Sequence, residues 1–416
     1  MTSPSTTDAA REESPASRGR PRRTAATSWV RLGPQQLMGR VRHGDRGLLP
    51  VILGLAVIWT ILQTQNDRFL SPQNLSNLAL QIAAVGTIAV GLFMVLLVGE
   101  IDLSVGIVSG LCGAILGVLY VDHHVDAGLA ILITLCAGAL IGAFHGLVIT
   151  RVGLPSFVVT LAGFIGWQGA LLFVLGDVGT VNLPPGGITA LTSTFFPGAP
   201  GWVIVGVLVA IYAWSQVETR RQRVDASLSA RSLLQIALQS VFLGLVLGVT
   251  VYVLNQDRGV PLSLLIFTGL VIAVEQFTKR TMYGRHIFAI GGNAEAARRA
   301  GIPVNRLRIS VMVFSSTLAE AGGILFASPL LAVSQASGSG DVLLNAIAAV
   351  VIGGTSLFGG RGTAYSALLG MLVIGSISNG MDLLSLQSSV KFMITGAVLL
   401  IAVTVDALAR RASSAA

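Results

Sequence analysis

Lysine is almost missing from this 416-residue chain: Lys279 and Lys391 are the only two, and neither follows a glycine. A phosphate-cradling loop ends in Gly-Lys-Ser/Thr, so "GGTSLFGGRG" at 353–362 has the glycines of such a loop without its ending. If ATP drives this protein, the nucleotide is hydrolysed elsewhere. Cysteine is equally scarce. Cys112 and Cys136 both lie inside apolar runs, where a thiol acts as a small hydrophobe, which argues against a disulfide framework or a cysteine metal site. Charged residues make up only 11% of the chain against 53% hydrophobic, with a mean hydropathy of +0.78. Such a composition is too apolar for one water-soluble core and predicts an all-α polytopic membrane protein.

The charge that is present is mainly positive, with a formal net charge of +8 and an isoelectric point near 10.3. The basic residues sit at the edges of apolar runs and not on one soluble face, which argues against nucleic-acid binding. His123 and His124 share a short loop with Asp122 and Asp126; this set offers metal ligands in principle, but reads better as a solvated turn. No Ser/His/Asp or Cys/His set has a spacing suited to catalysis, so neither a catalytic residue nor a metal or cofactor is expected in the chain.

Apolar runs suited to about 20 residues of spanning helix lie at 48–64, 77–98, 103–121, 128–150, 157–175, 200–215, 236–254, 260–276, 309–332, 342–353, 364–380 and 391–408. They predict about twelve transmembrane helices, or ten to twelve where runs are broken or wrongly split. With the N-terminus inside, every basic residue except Arg68, Arg258 and Lys391 falls on the inner side, as the positive-inside rule requires for an even number of spans with both ends cytoplasmic. Residues 1–46 then form a disordered basic cytoplasmic tail, 47–408 the transmembrane domain and 409–416 a short cytoplasmic tail. Gly138, Gly142 and Gly146, Gly106 and Gly110, and Gly113 and Gly117 recur at helical spacing, which predicts faces packed on other helices.

Between the spans, "GGNAEAARRAGI" at 291–302 carries every signal of a short capped helix. Asn293 is its N-cap, Glu295 lies in the first turn, Arg298 and Arg299 lie in the last, and Gly301 with Pro303 ends it. Two turns are not stable alone in water, so the helix must dock, either on the protein's own inner face or on a cytoplasmic partner. The collar of Lys279, Arg280, Arg285, Arg306 and Arg308 also suits anionic lipid headgroups.

"EAARRAGI" resembles the Glu-Ala-Ala, three residues, Gly pattern of the coupling helix in permease subunits of ABC importers. "GEIDLSVG" at 99–106, "LPSFVVTLAGF" at 154–164, "AIAAVVIGGTSLFGGRGT" at 346–363 and "SNGMDLL" at 378–384 extend the resemblance to ribose- and xylose-type sugar permeases over residues 50–408. The xylose type is the nearer match, because this chain shares its extra material around 200–260. The resemblance implies a bacterial inner-membrane permease, acting as a homodimer in the lipid bilayer with a cytoplasmic ATP-binding subunit and an extracytoplasmic sugar-binding protein. Residues 277–308 become the coupling loop, and Asn293, Glu295, Ala296, Ala297, Arg298 and Gly301 the ATPase-coupling residues. Nothing in "RRQRVDASLSAR" at 220–231 is explained by the resemblance.

Glu100 and Asp102 stand at the junction of two spans, as gating or structural groups wetted at the inner membrane edge or as an ion-coupling site. For a sugar path, Trp167 and Gln168 in mid-span and Asn345, with Ser334 and Gln335 flanking the tenth span, supply the expected amides, hydroxyls and ring. The competing reading is an ion-coupled secondary transporter or channel, with Glu100, Asp102, Glu275 and Glu320 as its relay.

Overall fold

The structure, a computed structural model, describes residues 48–414. The basic tail expected at 1–46 lies outside the described residues. In chain order the helices are α1 (Leu48–Gln65), α2 (Pro72–Leu97), α3 (Val105–Val121), α4 (Ala127–Leu147), α5 (Ser156–Leu175), α6 (Ala190–Ser193), α7 (Ala199–Asp225), α8 (Leu233–Leu254), α9 (Leu262–Arg280), α10 (Met282–Gly292), α11 (Ala294–Arg299), α12 (Val304–Leu330), α13 (Gly340–Ile352), α14 (Tyr365–Leu383) and α15 (Ser388–Ser414). Every one of the twelve apolar runs falls on one of these helices. Among the described residues, eight are long and apolar enough to cross a membrane. The run expected at 200–215 is the start of α7, which at 27 residues is about 40 Å long and exceeds the hydrocarbon thickness. The last helix continues to Ser414, through the stretch expected as a tail.

Helix α2 is the axis of the molecule. From Ile82 to Val98 every residue is buried, and α12, α9, α14 and α13 pack around it. A helix apolar on all faces is stable only when enclosed in this way. The surface is apolar instead of polar: Phe173, Trp214, Leu238, Phe242 and Leu245 are all more than half exposed. In water such a surface would aggregate; in a bilayer it faces lipid tails.

The glycines set the closest approaches. A Cβ on Gly138 would stand 2.9 Å from the Ser316 carbonyl oxygen and one on Gly146 2.7 Å from Ile309 Cα, so α4 and α12 touch backbone to backbone along this face. The glycines of α3 differ from expectation. Gly106 and Gly110 face the backbone of Gly338 and Ser337, and Gly113 and Gly117 face Val333 and Val181. Their partners are an irregular loop and the antiparallel pair β1 (Thr180–Asn182) and β4 (Ala332–Ser334), not another helix. Non-helical backbone is tolerated at this depth because protein surrounds it. A second pair, β2 (Phe195–Phe196) with β3 (Val260–Pro261), joins the ends of the α7–α8 hairpin.

Candidate coupling site and transport cavity

Helix α11 forms as its sequence dictates. Asn293 Oδ1 accepts from Ala296 N at 2.9 Å, and Glu295 lies 3.4 Å from Arg298 and 3.2 Å from Arg299. At the other end Gly301, at φ +82°, donates to Arg298 O, and Ile302 N donates to Ala297 O. This pair of bonds closes a left-handed C-cap, which glycine adopts without steric cost. Ala297 is 4% exposed and docks the helix on the body, while Glu295, Ala296, Arg298 and Arg299 face outward.

The base on which α11 stands brings the other motifs together. Gly291, at the end of α10, lies against Leu97 O and Gly360 N, where any side chain would collide. Gly360 N in turn donates to Leu97 O at 2.9 Å. A Cβ on Gly359 would stand 2.9 Å from both Gly291 O and Gly99 N. The glycine-rich loop at 353–362 therefore wedges between α10 and the α2–α3 corner. Glu100 pairs with Arg308, at the start of α12, at 2.9 Å. Helix α9 holds the far end of the loop: Glu275 Oε2 accepts from Ala364 N at 2.7 Å, and Lys279 Nζ donates to Gly362 O at 3.3 Å. Tyr283 on α10 shares a 2.7 Å hydrogen bond with Ser310 on α12, and burial pushes its phenol above the usual value, so it stays protonated.

Asp102 is not wetted: it is fully buried. Its Oδ1 accepts from Ser104 N at 2.9 Å and from Ser104 Oγ at 2.6 Å. The chain continues from Ser104 Oγ to His145 Nδ1 at 3.5 Å, and Trp167 Nε1 donates to His145 Nε2 at 2.9 Å. With Nε2 accepting, the neutral ring carries its proton on Nδ1 and donates toward Ser104. Asp102, Ser104 and His145 are fully buried, and with the half-buried Trp167 they join the α2–α3 corner, α4 and α5 in one polar chain that the sequence does not reveal. Trp167 and Asp102 stand on separate elements, and nothing in one sequence says which helix faces meet. The seryl oxygen is spent on the carboxylate, so the set positions helices and is no nucleophile. Glu320 is fully buried on α12 beside Cys112 and Thr134. The four acids of the ion-relay reading therefore sit in separate settings. Asp126 caps α4 by accepting from Gly128 N and Leu129 N, and no group of three metal-ligating side chains occurs among the described residues.

A cavity of about 620 Å³ opens between α2, α12, α13, α14 and α15. Asn77, Gln81, Asp341, Asn345, Ser378, Asp382, Ser388, Lys391 and Thr395 supply its polar lining, with Met371 and Phe392 among the apolar groups. Lys391 is ion-paired to Asp382. Asn345 belongs to this lining; Trp167 and Gln168 lie outside it, Gln168 reaching the Gln335 carbonyl at 3.5 Å. Asn77 and Gly99 mark opposite ends of α2, so the cavity and the coupling helix lie at opposite ends of the bundle. Helices α13 and α14 connect them, each with one end at the glycine-rich loop and the other at the cavity.

Residues 74–403 match the family described as branched-chain amino acid transport system / permease component. A xylose transport system permease protein of Escherichia coli K12 is 34% identical over 360 residues, covering 86% of this chain and 91% of the relative. Its counterpart in Haemophilus influenzae is 32% identical over 86% of this chain and 95% of its own length. A ribose import permease protein of Bacillus subtilis is 31% identical over 85% and 91%. No solved structure matches the chain. With a match across most of its length and a helical, lipid-facing fold, the chain belongs to the branched-chain amino acid transport system permease-component family and is a polytopic membrane permease, not an enzyme.

Proposed function

We propose that this chain is the membrane-spanning subunit of an ATP-driven sugar importer of the bacterial plasma membrane, moving D-xylose or a related pentose by alternating access. Two copies form the transport unit, a separate cytoplasmic ATPase grips α11, and an extracytoplasmic sugar-binding protein delivers the ligand. The apolar runs give about twelve spans, ten to twelve where runs are broken, and the distribution of basic residues favours an even number with both termini inside.

The observation that carries this reading is the geometry of α11: a capped helix, exposed on the face bearing Glu295, Arg298 and Arg299, whose base rests on the glycine-rich loop. A push on α11 reaches α13 and α14 through Gly291 and Gly360, and these helices line the cavity. Packed interfaces of this kind transmit displacement as rigid-body rocking. The cavity's amides, hydroxyls and carboxylates suit a sugar, and its volume suits a small ligand. The xylose and ribose permeases among the relatives support the choice of pentose. Replacing Glu295 and Arg298 together by Ala is expected to abolish ATP-dependent xylose uptake in vesicles while membrane insertion stays intact. Full uptake by that variant would remove the coupling role.

A further inference from the structure

The α7–α8 hairpin carries a feature that the proposed function leaves unexplained. Its turn brings Arg220, Arg223 and Arg231 around a cavity of about 270 Å³, lined otherwise by Gln216 and Thr219. None of the three arginines pairs with a carboxylate among the described residues. Their contacts are to neutral oxygens: Arg220 donates to Arg231 O at 2.6 Å, Arg223 to Ser229 O at 3.2 Å, and Arg231 to Gln216 Oε1 at 3.1 Å. A guanidinium has five N–H donors, so most remain available.

One turn further into the hairpin, the same two helices enclose an open groove of about 470 Å³, lined by Tyr212, Leu238, Phe242, Leu243 and Val246 with Gln239. Gln239 joins the two spaces, since its Oε1 accepts from Arg231 Nη1 at 3.4 Å. Depth fits the division. Arg220 is 21 residues beyond Ala199, or about 30 Å along α7, which is the hydrocarbon thickness. The arginines thus stand at headgroup level and the groove at acyl-chain level.

We propose that this hairpin is a binding site for an anionic phospholipid, with the phosphate among Arg220, Arg223 and Arg231 and one acyl chain along Leu238, Phe242 and Val246. Charge complementarity selects the headgroup, because three cations without a carboxylate partner converge on one concave site. The apolar groove continuing from it selects a lipid over free phosphate.

The test is native mass spectrometry of the full chain released from detergent after exchange into phosphatidylglycerol or phosphatidylcholine, with inorganic phosphate as a separate arm. The wild type is expected to retain phosphatidylglycerol over phosphatidylcholine. Affinity falls about fivefold for each arginine replaced by Gln, and on the order of a hundredfold in the R220Q/R223Q/R231Q protein. Phe242→Ser weakens retention with all arginines in place. Equal retention of the two lipids by the wild type, which needs no variant to fold, overturns the proposal, as does undiminished binding in the triple variant. Displacement of lipid by inorganic phosphate alone, or another copy of the chain found covering the hairpin, also overturns it.

Discussion

Gly291 and Gly292 are adjacent in sequence and opposite in consequence. Gly291 is wedged against Leu97 O and Gly360 N, whereas a Cβ on Gly292 meets nothing within 4 Å. Gly291→Val is therefore expected to lower the stability of the detergent-purified protein by about 1–3 kcal/mol, read as a fall in Tm, and Gly292→Ala to change it by less than about 0.5 kcal/mol. Equal effects at the two positions would refute the close approach. Trp167→Phe keeps an aromatic ring, though a smaller one, and removes the donor to His145 Nε2. Inside a membrane that is worth about 0.6 kcal/mol, so a stability loss of about that size, read as a small fall in Tm, is expected, with uptake retained. The caps of α11 could be read directly from Asn293 and Gly301 because capping is local chemistry. The Asp102–Ser104–His145–Trp167 chain could not be read, because its members lie on different elements and their meeting is decided by helix rotation.

At the scale of elements, the apolar runs located every long helix because burial in lipid demands continuous hydrophobicity. What periodicity could not supply was the partner of each face. Gly106 and Gly110 have the spacing of a helix-packing motif and meet the loop at 337–338, since small residues permit close approach by any backbone. The contact of the glycine-rich loop with α10 was hidden for the same reason. Its mechanical role can be tested at Glu100 and Arg308, whose ion pair ties the α2–α3 corner to α12. Glu100→Gln is expected to reduce sugar transported per ATP hydrolysed by between about two- and thirtyfold without loss of expression, the range found for residues along a coupling route. An unchanged ratio would mean that the corner does not take part in transmission.

For the whole molecule, the picture is a bundle built on α2, with the exposed helix α11 at one end, the polar cavity at the other, and α13 and α14 reaching both. Lipid-facing helices were evident from composition alone, whereas the cavity was not, because it is assembled from five helices widely separated in sequence. Asn345 is its most direct probe: Asn345→Leu is expected to depress uptake while leaving the basal activity of the ATPase unaltered, and normal uptake would exclude Asn345 from the path. On the proposed function, α11 exists to be held by another protein. The most direct test is to tag this chain, extract it gently from its native membranes and identify the copurifying proteins by mass spectrometry. A stoichiometric ATPase is expected, and it is expected to be lost when Glu295 and Arg298 are replaced by Ala. A protein that purifies without an ATPase and transports sugar at full rate without ATP would contradict that function.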